Sequence, residues 1–138
     1  MTTELTVLAW GCVLAIVHVF AAARAKTRQY GLEWNMGARD AEQPPLNAVA
    51  GRLARAQANY FETFPVMIAA VAIVSLADLE SRWTAIGALL WLGARVVYLP
   101  VYVLGIAKLR TLIFALSLTG IGLVLLSALG AVFRSAGP

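Results

Sequence analysis

Charge is scarce in this sequence. Asp, Glu, Lys and Arg make up 13% of its 138 residues, about half the roughly 25% of an ordinary soluble domain. A soluble chain this short must cover most of its surface with polar side chains, and this one does not have them. Cysteine is limited to Cys12. That excludes an internal disulfide, and its apolar setting reads as a buried thiol. Histidine is limited to His18. No Ser-His-Asp or Cys-His arrangement is evident, and no cluster of His, Cys, Asp and Glu has metal-ligand spacing, so no metal is implied. Acidic residues number 7 against 11 basic ones, a formal net charge of +4. The basic residues sit in a few short segments, which reads as a topology signal and not as a nucleic-acid surface. There is no internal repeat and no low-complexity segment.

Apolar residues are abundant, at 61%. They gather into four stretches, at about 5–24, 46–77, 83–107 and 111–133. Each is near or above the roughly 20 residues that a helix needs to cross the hydrocarbon core. Backbone groups in lipid must be satisfied within their own segment, so these stretches predict helices and not strands. The expected fold is an all-α integral membrane four-helix bundle, a single domain over 1–138. The first stretch is too long for a cleaved signal peptide and lacks a basic residue before it. His18, alone on that stretch, reads as a packing or hydrogen-bonding residue.

The connections differ in character. Residues 24–45 predict a long polar loop, broken by Gly31, Gly37 and Pro44-Pro45, with Trp34 at the headgroup level. The other two predict tight turns at 77–82 and 108–111. Orientation follows from lysine and arginine. Arg24, Lys26, Arg28, Arg39, Arg52, Arg55, Lys108 and Arg110 fall on one side, and Arg82 and Arg134 on the other. Both termini are therefore expected on the non-cytoplasmic side.

An ionisable residue within a membrane helix costs at least a few kcal/mol near the centre and faces protein or water. Arg52, Arg55, Asn59 and Glu62 follow one another at spacings of three, four and three, one face of the second span. Gln57 lies off that stripe. Pro65 predicts a kink just after Glu62. Arg95, Tyr98 and Tyr102 make a second stripe on the third span, which Pro100 is expected to bend near Val96. One reading makes Glu62 a structural partner of Arg95 or Arg55. The other makes the stripes a site for an anionic ligand, because Arg55, Arg95 and Arg110 outnumber Glu62 and the planar guanidinium fork suits carboxylates. Arg52, Arg55 and Arg110 also fit snorkelling or lipid phosphate binding. The fourth span reads as plain packing, and Gly87, Gly93, Gly120, Gly122 and Gly130 as points of close helix approach.

The run Arg55-Ala-Gln-Ala-Asn59-Tyr-Phe-Glu62-Thr-Phe-Pro65 resembles the signature of the MAPEG family, the membrane-associated proteins of eicosanoid and glutathione metabolism. The run Arg95-Val-Val-Tyr98-Leu-Pro-Val-Tyr102 and the segment Gly105-Ile-Ala-Lys-Leu-Arg110-Thr are similar to that family's third span and third connection. The resemblance implies a homotrimer in the membrane, with glutathione as co-substrate bound between neighbouring subunits on the cytoplasmic side. It implies glutathione contacts from Arg24, Arg55, Gln57, Asn59, Glu62, Tyr98 and Tyr102, with Arg95 beneath them, and Arg110 as the group that stabilises the thiolate. Thr63 stands where some members carry a tyrosine, and the first loop resembles bacterial members, which implies a bacterial inner membrane. The implied activity is glutathione transfer to a lipophilic electrophile, or reduction of a lipid hydroperoxide. A non-catalytic lipid-binding or scaffold protein on the same fold is the alternative. A small transporter is disfavoured because no broken-helix pair or inverted repeat is present.

Overall fold

The computed structural model describes residues 1–135, with side chains through Phe133; the tail ending in Pro138 and the side chain of Arg134 lie outside the described residues. Every regular element within them is helical. Their order is α1 (Thr3–Tyr30), α2 (Leu32–Met36), α3 (Ala48–Leu76), α4 (Arg82–Leu104) and α5 (Ala107–Ser135). The four long helices are all long and apolar enough to cross a membrane. α2 is a five-residue turn within the first connection.

The helix ends follow local chemistry. Thr2 caps α1 by accepting from the Leu5 amide, Asn47 caps α3 by accepting from Ala50, and Ser81 and Thr84 form a reciprocal capping box on α4. α1 does not stop at residue 24 but runs to Tyr30. Nothing between Arg24 and Tyr30 breaks a helix, and the first breaker is Gly31 at φ +93°. At 28 residues α1 is about 42 Å long, against roughly 30 Å of hydrocarbon. Arg24, Lys26 and Arg28 therefore ride on a helix longer than the apolar layer is thick, not on a loop. The third connection also moves. α4 ends at Leu104 on Gly105, which takes the left-handed conformation at φ +77°, and α5 begins at Ala107. Lys108 and Arg110 are first-turn helical residues and not turn residues. Both Pro65 and Pro100 lie inside continuous helices.

The long connection is tied back to α1. Tyr30 donates its hydroxyl to the Pro44 carbonyl at 2.6 Å, Gln29 donates to Pro45 at 2.9 Å, and the Asn47 amide donates to Gln29 at 2.8 Å. Trp34 packs edge-on against Tyr30 and under the Arg39 guanidinium.

The core centres on Trp91, Tyr60, Phe64, Met67, Val71, Val74 and Val124, drawn from α3, α4 and α5, with Val7 and Ala15 added by α1. α4 and α5 share the most extensive interface. Its tightest point is Gly87 against Gly120. A methyl on Gly120 would lie 2.6 Å from the Gly87 carbonyl oxygen and 2.7 Å from the Trp91 amide nitrogen, so backbone meets backbone there. Gly93 and Gly122, expected to serve likewise, face open space within the chain. Cys12 faces outward and is not buried, because the inward positions of α1 are Val7, Gly11, Ala15, His18 and Ala22. His18 is buried and lies 4.5 Å from the Tyr60 ring, with neither ring nitrogen hydrogen-bonded. Packing is thus the role the fold gives it.

Candidate functional site

The site is assembled where α3, α4 and α5 meet at one end of the bundle. The 3.6-residue period brings Arg55, Asn59 and Glu62 onto one face of α3. Tyr98 and Tyr102 occupy the facing side of α4, and Arg110, Thr111 and Phe114 come from the first two turns of α5. Together with Ala58 they line one pocket of about 390 Å³, within the range of small-molecule sites. Six residues expected from the sequence therefore converge: Arg55, Asn59, Glu62, Tyr98, Tyr102 and Arg110.

Arg95 is placed differently. It is completely buried behind the pocket. Its guanidinium donates to Asn59 Oδ1 at 2.7 Å and to the Thr63 hydroxyl, and it lies against the rings of Tyr98 at 5.4 Å and Phe114 at 5.3 Å. Arginine can only donate. The atom of Asn59 that meets it is therefore the oxygen, which leaves the amide NH₂ as the group that Asn59 offers to the pocket. Thr63 accepts from Arg95 and passes its own proton to the α3 backbone, at 3.2 Å from the Asn59 oxygen or 3.3 Å from that of Tyr60. A buried charge is thus held by hydrogen bonds and aromatic faces, which offset part of its desolvation. Its partner is not the carboxylate that charge alone would choose. Glu62 is exposed on the pocket wall and, among the described residues, makes no hydrogen bond or ion pair.

The charges that reach the pocket are two guanidinium groups, Arg55 and Arg110, and one carboxylate, Glu62. The lining therefore carries a net formal charge of +1. Arg110 rests 5.0 Å from the centre of the Tyr102 ring, which restricts where its fork can point. Tyr98 and Tyr102 meet edge to face at 5.4 Å. The wall offers cationic donors, one anionic acceptor, hydroxyls and an amide.

Two expected residues stay outside. Gln57 is half-buried, off the stripe and off the pocket wall. Arg24 lies on α1 in a separate groove of about 770 Å³, with Phe20, Thr27, Arg28, Leu32 and Asn35. Three contributors were not anticipated. Thr111 and Phe114 fall on the span that reads as packing, although Phe114 sits four residues from Arg110, the spacing that shares a helix face, and Thr111 is its neighbour in sequence. Thr63 stood out only as a departure from a pattern, and its hydroxyl is what receives the buried arginine.

Compared with families of known proteins, the chain is matched by the model of the MAPEG family over residues 6–130. No curated protein matches it.

Proposed function

The chain belongs to the MAPEG family, a multi-pass membrane family that includes glutathione-dependent transferases and peroxidases, and from that premise we propose that the α3–α4–α5 pocket binds glutathione and presents its thiolate to a lipophilic substrate from the bilayer. The observation that carries this reading is the pocket's charge pattern. Glutathione near neutral pH has two carboxylates and one ammonium, a net charge of −1. The lining has two guanidinium groups and one carboxylate, a net charge of +1. Arg55 and Arg110 take carboxylate or thiolate, Glu62 takes the ammonium, and the Asn59 amide donates to a peptide carbonyl or carboxylate.

A thiol is a weak nucleophile until it loses its proton, and an adjacent cation favours the charged form. Arg110, steadied on the Tyr102 ring, is the residue assigned to hold that sulfur as thiolate. With an electrophile the sulfur forms a new C–S bond; in a substitution the leaving group departs from that carbon with the electron pair of the broken bond, and in an addition the displaced π pair stays on the substrate and takes up a proton. With a hydroperoxide the sulfur takes one oxygen, the O–O bond breaks and an alcohol leaves.

The pocket is open on one side, and Arg55, Glu62 and Thr111 are exposed there. In the proposed homotrimer a neighbouring α1 closes that side and brings its own Arg24 toward the ligand. This accounts for the distance of Arg24 from the pocket within one chain. The same end of the bundle carries the basic residues of α1, α3 and α5, and the proposal places it at the cytoplasmic face of a bacterial inner membrane.

The test is a glutathione titration of the detergent-purified protein, followed by calorimetry, thiolate absorbance and conjugation of a general aromatic electrophile. Saturable binding with turnover supports the proposal. Binding without turnover moves the protein to the scaffold alternative, and absence of binding refutes the ligand. Arg110→Ala is expected to abolish the thiolate absorbance and leave binding within about tenfold, a loss of at most about 1.4 kcal/mol; an unchanged absorbance removes Arg110 from its assigned role.

A further inference from the structure

Beside the main pocket lies a second, smaller cavity of about 100 Å³, walled by Arg52, Arg55, Tyr102, Gly105, Ala107 and Arg110. Three guanidinium groups face it and no carboxylate does. Arg52 is fixed in place. It donates to the Val103 carbonyl at 3.0 Å, one of the last carbonyls of α4, where the helix end carries partial negative charge. Its guanidinium lies flat on Gly105. A Cβ at that residue would come within 2.7 Å of the guanidinium carbon and of one of its nitrogens, so the bare left-handed glycine is what admits the side chain. Leu104, Ile106 and Leu109 are exposed around the same turn and give the basic cluster an apolar rim.

Three cations around so small a space repel one another, and near a membrane that repulsion is less screened than in water. A cavity of this size has room for a few waters or for one compact oxyanion. The guanidinium fork suits phosphate oxygens in pairs. We propose that Arg52, Arg55 and Arg110 form a phosphate subsite at the α4–α5 turn, adjoining the proposed glutathione pocket and sharing its Arg55, Tyr102 and Arg110. The phosphate belongs either to an anionic lipid headgroup, whose chains lie on the Leu104–Ile106–Leu109 rim, or to a soluble phosphate-bearing molecule. The subsite depends on the three arginines and not on the glutathione reading.

The experiment uses no glutathione. Inorganic phosphate is titrated into the detergent-purified protein by calorimetry. In parallel, the protein is reconstituted with phosphatidylglycerol and phosphatidylcholine in equal amounts, then re-extracted, and the retained lipid is identified by mass spectrometry. Wild type is expected to bind phosphate saturably, and Arg52→Gln at least tenfold more weakly. Preferential retention of phosphatidylglycerol that Arg52→Gln abolishes assigns the subsite to a lipid. Phosphate binding without lipid preference assigns it to a soluble ligand. Neither phosphate binding nor lipid preference in wild type, or equal behaviour of wild type and variant, overturns the proposal. Should Arg52→Gln fail to fold, Arg52→Lys keeps the charge and a donor for Val103 but loses the fork; it is expected to bind phosphate at least threefold more weakly, and equal affinity overturns the subsite.

Discussion

The two ends of the bundle handle buried polarity in opposite ways. At the end where α1 and α4 begin, Glu4 is almost wholly buried, and the Thr84 hydroxyl donates to its carboxylate. Thr84 itself belongs to the capping box of α4. The carboxylate thus sits against the first turns of two helices, where the backbone dipoles favour negative charge. Every part of that arrangement is supplied by the chain. At the other end, Arg55, Glu62 and Arg110 face a cavity and Glu62 has no partner within the described residues. Arg95 marks the boundary between the two styles, since it is buried and its two terminal nitrogens donate to Asn59 and Thr63, while its Nε has no partner among the described residues and the side chain lies directly behind the open pocket. Polar residues that a fold satisfies by itself are read as structure. Those it positions and leaves open are where a ligand is to be sought.

This contrast can be broken from three directions. The largest effect is expected where both ends lose their common support. Gly120→Val forces a side chain into the Gly87 backbone, and packing strain of that kind costs several kcal/mol when neither partner can move. Loss of folded protein in detergent, seen by size exclusion and thermal melting, is the expected result. A variant that melts like wild type would show that the α4–α5 crossing does not depend on the glycine pair.

A smaller loss is expected at the boundary. Arg95→Met removes the donor to Asn59 and Thr63 and replaces it with an unbranched apolar chain that fills only the space of the arginine's stem. The two orphaned acceptors cost roughly 1–3 kcal/mol each, partly offset by the removed desolvation of the charge. The melting temperature should fall, and glutathione affinity should fall with it because the Asn59 amide is no longer aimed. Reduced stability with unchanged affinity would separate Arg95 from the site altogether.

The finest test sets the two carboxylates against each other. Glu4→Ala should lower stability by about 1–3 kcal/mol, the cost of an unmade buried hydrogen bond, and leave glutathione binding as it was. Glu62→Gln should leave the melting temperature in place and weaken glutathione at least tenfold. Calorimetry and thermal melting on both variants read the crossover. If Glu62→Gln destabilises the fold and spares binding, the structural-partner reading of Glu62 returns.

The membrane helices were legible because the signal is compositional. A stretch of some 20 apolar residues has few alternatives, whatever surrounds it. The stripe Arg55, Asn59, Glu62 was legible because it lies on a single helix, where periodicity alone decides which residues share a face. Pairing across helices was less legible. Charge favoured Glu62 as a partner for Arg95, but the register between α3 and α4 brings Asn59 and Thr63 to it. The fourth span read as packing, since nothing in its own pattern shows that its first turns close a pocket begun on α3 and α4. The end of α1 lies beyond the apolar stretch, at Tyr30, because arginine and lysine are good helix formers and their charge stops nothing.

By itself, then, the sequence determined four membrane-length helices, their polar stripes and the family resemblance, all properties of short windows in which composition and period are sufficient. The tertiary structure decided which polar residues are spent inside the fold and which remain open. Arg95 and Glu4 find hydrogen-bond partners within the chain, Glu62 finds none among the described residues, and Arg52 lies flat on Gly105 beside a second cavity. That sorting depends on how the helices cross and where their ends meet. A difference of one turn in register would exchange the roles, and no single helix contains that information.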